Sequence, residues 1–382
     1  MPPHRPNSQA LMRLQLMAGL DVGGPQLIQP LLQTLHRVIG FDSGGYFYVG
    51  DDGGLEAHME DPGVGAAVPE HFDPRILRSE SEVFHNTLRQ PSDISRHGQG
   101  ARTLGQMLKT RHAELLRSDY YNVVMRPARV ADWLCLPLST PRHPGIGILF
   151  LFRPPGARPF GPEEVATLTR LEAHLACALQ PGDRYADDGE VHSQGLLVAT
   201  PQGRPLWISP EAEALMPQAF GWRWRRSADL PPVLQSLLQR LAPKKETPLA
   251  PPQLELRNAQ GWFSLRAMRL AAAAGQDNAV GITITRRMAR GIRLLSTLHE
   301  LDLPRRQYEL AYWLARGLSE SQIAQRMGIS SNTVVYHRRQ LYNRLGAGNR
   351  TDLLAQLGAR FSDALSSRPR PYGPRHGRSC RS

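Results

Sequence analysis

Two short segments near the carboxyl terminus place apolar residues at helical spacing, with a glycine between them. The apolar face comprises Ile323, Ala324 and Met327 in the first segment and Val334, Leu341 and Leu345 in the second. Ser319 and Gln322 have the spacing of a capping box, and Ser330 is a candidate N-cap for the second segment. Gly328 tolerates a left-handed helix stop. The pattern predicts two helices joined by a tight turn.

The opposite face of the second helix is polar and basic. It carries Ser331, Asn332, Val335, Tyr336, Arg338 and Arg339, with Arg344 one turn further along. A short helix, a glycine turn and a second helix with such a face is typical of the helix-turn-helix motif, whose second helix fits the major groove of B-DNA. The alternative is a helical hairpin with a solvated charged face.

Residues 303–354 resemble, without a gap, the four-helix DNA-binding domain of the LuxR/FixJ type. The matching residues are Leu303, Glu309, Leu314, Ala315, Gly317, Leu318, Ser319, Ile323, Ala324, Gly328, Ile329, Ser330, Thr333, Val334, His337, Leu345, Gly346, Asn349, Arg350 and Thr351. Pro304 and Arg305 stand where the family usually has Thr-Pro, although a proline there still suits a first turn. The resemblance implies an all-α domain, in which we expect Glu309 to have an architectural role.

The same resemblance implies roles for single positions along the helix Ser331–Leu345 and beyond it. Positions expected to face bases are Val335, Tyr336 and Arg339, and positions expected near phosphates are Thr333, Arg344, Asn349 and Arg350. Val335 and Tyr336 replace commoner small or basic residues, so the base sequence recognised there is not predicted. The resemblance also implies a homodimer through the last helix, where we expect exposed leucines at Leu353, Leu354 and Leu357.

Residues 1–182 mix helical periodicity with short apolar runs. Helices are predicted at 8–20, 25–39, 81–88, 104–117 and 161–179, a hairpin at 44–50 and 55–59, and two further strands at 132–138 and 145–152. This order describes an α+β domain with one antiparallel sheet. Segments 118–138, 147–152 and 160–179 resemble GAF-like sensory domains.

Aromatic residues of this region are candidates for a ligand site between the sheet and the helices. They are Tyr46, Tyr48, Tyr120, Tyr121 and Trp133. Apolar aromatic walls with a few polar groups are typical of small-molecule sites. The alternative is that these side chains simply belong to the core or the surface.

Residues 190–288 resemble a PAS domain after a polar linker at 180–189. The pattern predicts a strand, a turn at Gln202 and Gly203, a second strand, and a helix that begins after Ser209. Segments 254–270 and 281–285 are expected to supply later strands. Ser209 stands where many such domains have Asn. Three tryptophans either cradle a ligand or pack in the core: Trp222, Trp224 and Trp262.

The net charge of +12 is concentrated at the carboxyl end. Residues 286–358 contain 12 Lys/Arg against 5 Asp/Glu, and residues 359–382 contain 6 Arg against 1 Asp. Residues 1–285 contain 28 basic and 28 acidic side chains and are neutral. A neutral body with a basic end is typical of a nucleic-acid-binding terminus. The predicted helix-turn-helix domain spans 292–358, and the Pro-, Gly-, Ser- and Arg-rich tail at 366–382 is predicted to be disordered.

Cysteine usage and motif content argue against an enzyme. Cys135, Cys177 and Cys380 lack C-x-x-C spacing, which favours a reducing compartment without a zinc site; the first two lie among apolar residues and are predicted to be core. No P-loop, dinucleotide fingerprint, HExxH or G-x-S-x-G pattern occurs, so we predict no cofactor and no metal. No segment approaches the roughly 20 apolar residues of a membrane helix, and we expect a cytoplasmic protein.

The patterns together predict a multidomain chain, in which GAF-like and PAS-like α+β regions with antiparallel sheets precede an all-α four-helix LuxR-type domain. The predicted function is a signal- or ligand-responsive transcriptional regulator that binds double-stranded DNA as a homodimer. A small-molecule effector of unknown identity is the expected signal. Two alternatives stay open: a ligand-binding or protein-interaction module whose helix-turn-helix no longer binds DNA, and an enzyme with its site in residues 1–290.

Overall fold

The computed structural model describes residues 8–19, 23–181, 190–221, 224, 230–241, 251–270, 279–301 and 303–357. Its contacts divide the chain into two compact units, Met1–Ile292 and Arg293–Ser382. The predicted tail at 366–382, most of the linker at 180–189, Trp222 and Cys380 lie outside the described residues.

The first half of unit 1 is built on a five-stranded antiparallel sheet. Its strands are β1 (Ser43–Val49), β2 (Leu55–Met59), β3 (Arg102–Thr103), β4 (Asp132–Leu138) and β5 (Gly147–Arg153). They lie in the order β2-β1-β5-β4-β3. The predicted hairpin of β1 and β2 is confirmed, and Gly53 supplies the left-handed turn residue with φ of 76°. The apolar runs of β4 and β5 form the predicted antiparallel pair.

Helices cover the sheet because its strands are apolar on both faces. Helix α1 (Ser8–Ala18) packs with α2 (Ile28–Leu35) and with α8 (Pro162–Leu179), which lies against β4. The remaining helices are short: α3 (Pro62–Ala66), α4 (Val68–His71), α5 (Pro74–Val83), α6 (Leu104–Met107) and α7 (His112–Leu115). Residues of α3, α5, α6 and α7 share a hydrophobic cluster with Phe47, Trp133 and Ile148 of the sheet.

Two helices predicted in this region are wrong in extent. The helix expected at 81–88 is α5, which ends at Val83, and the helix expected at 104–117 is broken into α6 and α7. The reason is a pairing between the two segments. Phe84 bridges Leu108, and the Lys109 amide donates to the Val83 carbonyl at 2.8 Å. These backbone groups therefore bond across the fold and not along a helix.

The second half of unit 1 repeats the topology of the first. Its strands are β6 (Glu190–Ala199), β7 (Pro205–Ile208), β8 (Gln253–Asn258), β9 (Gly261–Leu270) and β10 (Ala279–Met288), in the order β7-β6-β10-β9-β8. When the strands of each sheet are numbered one to five along the chain, both sheets have the spatial order 2-1-5-4-3. Ser209 caps α9 (Pro210–Phe220) as predicted, accepting from the Ala212 amide at 3.2 Å. Helix α10 (Pro232–Gln239) was not predicted.

The carboxyl-terminal helices are α11 (Arg290–Glu300), α12 (Arg305–Ala315), α13 (Glu320–Met327), α14 (Ser331–Leu345) and α15 (350–357). The expected exposure of the leucines on α15 is wrong. Leu353 and Leu357 are buried in the core, and Leu354 is only partly exposed. The side chains of Leu353 and Leu357 that fill the core cannot also face a partner.

The thiols follow the predictions only in part. Cys135 is buried on β4, and burial raises the pKa of its thiol to about 12, so it is an inert core residue. Cys177 is exposed on α8, against expectation. Within the described ranges, no three His, Cys, Asp or Glu side chains converge as metal ligands, and no helix has the length and apolar character to cross a membrane.

Candidate nucleic-acid interface and a buried cavity

Helices α13 and α14 begin and end where the sequence predicts. The Ser319 hydroxyl accepts from the Gln322 amide, and the Gln322 side chain accepts from the Ser319 amide at 2.9 Å. Gly328 is left-handed with φ of 61°, and the Ile329 amide donates back to the Ala324 carbonyl at 3.1 Å. This hydrogen bond closes a Schellman motif. Ser330 then caps α14 by accepting from the Thr333 amide at 3.2 Å.

Side-chain bridges hold the two helices of the motif in place. Arg338 of α14 forms an ion pair with Glu320 of α13, and its guanidinium also lies 5.9 Å from the centre of the Tyr342 ring. Arg306 of α12 donates to the Met327 carbonyl at 3.3 Å and reaches Glu309 at 3.5 Å. The architectural role expected of Glu309 is consistent with this contact. Arg338 lies on the face predicted to enter the major groove, and its guanidinium is paired with Glu320.

Three of the residues expected near phosphates have internal hydrogen-bond partners. Arg350 donates to the Leu314 carbonyl at 2.6 Å and to the Leu318 carbonyl at 3.4 Å, where it satisfies the carboxyl-terminal end of α12. Asn349 accepts from the Asp352 amide at 2.9 Å and so caps α15. The hydroxyl of Thr333 lies 2.8 Å from that of the N-cap Ser330. Arg344 is exposed on the last turn of α14.

The other residues predicted to contact DNA form the outward face of α14. Ser331, Asn332, Tyr336 and Arg339 are exposed, and Val335 is half-buried between them. Tyr336 is 58% exposed and accepts a hydrogen bond from Gln340 at 2.6 Å, which holds the ring against the helix. Val334 and Leu341 on the opposite face are fully buried. The face thus combines hydrogen-bonding groups, an aromatic ring and a cation on a helix anchored from behind.

Comparison with known families agrees with this geometry. The model for bacterial regulatory proteins of the luxR family matches residues 302–356. Residues 302–356 form a LuxR-family domain. The protein named "Probable transcriptional regulatory protein SgaR" of Hyphomicrobium methylovorum is 49% identical over 54 residues, or 14% of this chain and 26% of that protein. The chain therefore spans about a quarter of that relative.

Two solved structures of similar proteins are more distant. The phage VqmA–DPO complex is 18% identical, covers 44% of this chain and 83% of its own, and has a TM-score of 0.18. Escherichia coli SdiA is 17% identical, covers 45% of this chain and 84% of its own, and has a TM-score of 0.15. At such TM-scores neither likeness carries an argument about the regions that precede the LuxR-family domain.

A cavity of about 80 Å³ lies among the core residues of the first half of unit 1. Of the five predicted ligand residues, Tyr120 and Trp133 line it. Tyr46 is fully buried, and its hydroxyl donates to the Ile146 carbonyl at 3.3 Å. Tyr121 packs at the edge of the hydrophobic cluster. The sheet places odd and even residues on opposite faces, which separates Tyr46 and Tyr48 from the cavity-lining Phe47.

Tyr48 has a different position from the one expected. Its hydroxyl donates to the Glu56 carboxylate at 3.0 Å and accepts from the Ala259 amide at 3.0 Å. The Arg257 amide donates to Asp51 at 3.0 Å in the same area. Tyr48 therefore joins the first sheet of unit 1 to the β8–β9 turn of the second. Trp262, a further candidate, lies under the guanidinium groups of Arg257 and Arg287 at 5.2 and 5.6 Å.

Three titratable residues of the cavity were not predicted from the sequence. His71, Glu80 and His97 all line it. Burial raises the pKa of Glu80 to about 8, with Arg89 lowering and Asp93 raising it by smaller amounts. Burial lowers the pKa of His71 to about 4, and burial also lowers the pKa of His97. At pH 7 all three are therefore uncharged in the majority of molecules. Ordinary helical and loop patterns surround them, so no local signal distinguished them.

Proposed function

We propose that this protein is a transcription regulator that binds double-stranded DNA through the LuxR-family domain. The observation that carries the proposal is the outward face of α14, which presents Arg339, Tyr336 and Asn332 to solvent while its other face is anchored in the domain. An α-helix of this kind fits the major groove, and arginine binds guanine with two hydrogen bonds. The concentration of positive charge in residues 286–382 supports attraction to phosphates.

Within this proposal the arginines of the domain have three roles. Arg339, for which the described residues provide no partner, contacts bases. Arg338 keeps α14 in position through its ion pair with Glu320. Arg350 keeps α15 in position through the Leu314 carbonyl at the end of α12. Arg344, at the exposed end of α14, contacts phosphate. Sequence preference then depends on Arg339 together with Ser331, Asn332, Val335 and Tyr336.

We further propose a homodimer and a small-molecule effector. Two copies would present two α14 helices to half-sites about one helical turn apart. The two halves of unit 1, which share one strand order, are proposed as the GAF-like and PAS-like sensory regions at 1–182 and 190–288. The cavity lined by Tyr120 and Trp133 supports a ligand-binding role for the first of them.

The first experiment is a selection of bound sequences from random duplex DNA by the full chain at stated salt. Affinities for the selected duplex and for an unrelated duplex are then compared in Arg339→Ala. Loss of a base contact is expected to reduce the preference for the selected site by about 5- to 150-fold, equivalent to roughly 1–3 kcal/mol.

The matched control is Arg305→Ala, which removes an exposed arginine from α12. It is expected to leave the ratio of the two affinities unchanged. An unchanged ratio in Arg339→Ala would remove that residue from base recognition. A chain that enriches no sequence and shows no salt-dependent DNA affinity would instead favour a protein-interaction module.

A further inference from the structure

The walls of the cavity in unit 1 define what it can hold. It is lined chiefly by apolar and aromatic side chains such as Phe47, Val64 and Phe150, and no Lys or Arg is among the described residues that line it. Its ionisable groups are uncharged at pH 7, because burial disfavours their charged forms. A charged ligand entering this space would lose its hydration without gaining an opposite charge. The cavity therefore selects uncharged molecules.

Two residues that line the cavity each have a buried polar atom without a hydrogen-bond partner among the described residues. These atoms are the Oε2 atom of Glu80 and the Nε1 atom of Trp133, and both side chains are at least 94% buried, with exposed fractions of 6% and 5%. A buried polar atom without a partner costs about 1–3 kcal/mol, so such atoms are normally satisfied. An indole N–H only donates, and a protonated carboxyl offers one O–H. Both unpartnered groups can therefore donate to an acceptor atom on a ligand.

The size of the space limits the molecule. An apolar cavity of about 150 Å³ holds one benzene ring, and this cavity measures about 80 Å³. Met59, Met107 and Met125 line it, and methionine side chains adjust their conformation more readily than branched ones. A single ring with one short substituent is the largest molecule that these walls admit, and it requires the methionine side chains to move aside.

We propose that the cavity binds a compact, uncharged, mainly apolar molecule whose one polar end is a carbonyl-type acceptor for the Trp133 N–H and the protonated Glu80 carboxyl. This deepens the effector role given under the proposed function, on which its link to DNA binding rests. Binding of the ligand in the cavity does not require DNA, so the ligand proposal and the DNA-binding proposal can be refuted separately.

Three probes of similar size test the chemistry with the full chain at pH 7. Acetophenone carries the acceptor, isopropylbenzene has the same shape without it, and benzoate is charged. Acetophenone is expected to bind saturably and about three- to tenfold more tightly than isopropylbenzene, the usual net value of one hydrogen bond. Benzoate is expected to bind more than tenfold more weakly than acetophenone. Ligand-observed NMR titration measures all three affinities.

The location is tested through the tryptophan indole N–H resonances of the ¹⁵N-labelled chain, which has six tryptophans. The Trp133 resonance is assigned as the one missing in Trp133→Phe. Acetophenone is expected to shift it, whereas the resonance of Trp207, which is 67% exposed, is expected to stay in place. Acetophenone binding that leaves the Trp133 resonance unmoved would overturn the proposal.

The role of the Glu80 proton is tested by pH. Tyr120, His71 and His97 lie around the same cavity, and Arg89 and Asp93 act on Glu80 through their charges. Ionisation above pH 8 removes the O–H donor, so the affinity for acetophenone is expected to fall about tenfold between pH 7 and pH 9. Glu80→Gln keeps a donor at every pH and is expected to bind with an affinity that does not change over this range.

The contrary outcomes are distinct. Equal affinity for acetophenone and isopropylbenzene, or a pH profile that is the same in Glu80→Gln and in the unsubstituted chain, would refute the acceptor-binding site. Both comparisons use chains that keep Trp133, so they remain decisive where Trp133→Phe does not fold. Failure of the DNA selection would leave these results unaffected.

Discussion

At the scale of single residues, the buried polar groups of unit 1 differ in whether they have partners. Arg153 forms an ion pair with Glu164 at 2.7 Å, donates to the Arg158 carbonyl at 2.9 Å and lies over the Phe160 ring. Glu164 also caps α8 by accepting from the Gly161 amide at 2.6 Å. Glu80 has no such partners, so its burial favours the neutral acid. The same residue type is therefore ionised in one place and protonated in another.

This contrast predicts how stability depends on pH. The pKa of Glu80 is raised from 4.5 to about 8, so its contribution is complete below 4.5 and is lost as pH rises to about 8. The pKa of His71 is lowered from 6.5 to about 4, so its contribution is lost as pH falls below 6.5. Of these two effects, only that of Glu80 changes the stability above pH 6.5. The free energy of unfolding is expected to fall by about 1–2 kcal/mol between pH 6.5 and 8.

Glu80→Gln is expected to remove most of this slope in denaturant unfolding measured across that pH range. The control is Glu82→Gln on the same helix, whose side chain is exposed and whose replacement is expected to keep the slope. Identical slopes in the two variants would show that Glu80 is ionised in the folded protein at neutral pH.

At the scale of elements, the helix-turn-helix is held by its own caps and by bridges from outside it. Ser319, Ser330 and Gly328 determine where α13 and α14 begin and end. The Arg338–Glu320 ion pair and the Arg306–Met327 hydrogen bond then hold the helices against each other and against α12. These bridges orient the face that is proposed to enter the major groove.

The ion pair predicts a measurable coupling. The side chains of Arg338 and Glu320 are 31% and 35% exposed, so the coupling in a double-mutant cycle of unfolding is expected to be about 0.2–1 kcal/mol and to shrink in high salt. Arg338→Ala and Glu320→Ala form the cycle. A second cycle with Arg339→Ala in place of Arg338→Ala is the control, and it is expected to show no coupling. Equal coupling in both cycles would mean that Glu320 interacts with the total positive charge of α14 and not specifically with Arg338.

At the scale of the whole molecule, one hairpin of unit 1 serves both the cavity and the contact between its two sheets. Phe47 and Met59 of the hairpin line the cavity. Tyr48 and His58, each next to one of them, contact Ala259 and Gln260 at 3.0 and 3.2 Å. Alternation along a strand produces this arrangement. Each of these two cavity-lining residues is therefore adjacent in the chain to a residue that contacts the second half of unit 1.

Tyr48→Phe is expected to weaken that contact, because it leaves the buried Ala259 amide without its acceptor, at a cost of about 1–3 kcal/mol. Amide hydrogen exchange at Ala259 is expected to become at least tenfold faster. Tyr46→Phe is the matched control, since it removes a hydroxyl that bonds to Ile146 within the first half. Equal exchange rates at Ala259 in both variants would show that the Tyr48 hydroxyl does not protect this amide.

Much of the fold was predictable because its signals are local. The hairpin of β1 and β2, the pair β4–β5, helix α8 and the strand–strand–helix order from β6 to α9 all follow from periodicity, turn residues and caps. Helices α3 and α4 were not predicted. The end of α5 and the break between α6 and α7 were not predictable, because the Phe84–Leu108 bridge and its neighbours replaced helical hydrogen bonds with long-range ones. The polar residues of the cavity were missed for a related reason, since His71, Glu80 and His97 come from three separate segments.

The sequence by itself determined the helix-turn-helix and the outward position of Tyr336 and Arg339, because caps and helical periodicity depend on residues within about four positions of each other. Only the tertiary structure decided which other arginines have internal partners. Arg338 meets Glu320 across 18 residues, and Arg350 meets the Leu314 carbonyl across 36. Spacing along a chain does not encode such distances, and packing brings these groups together.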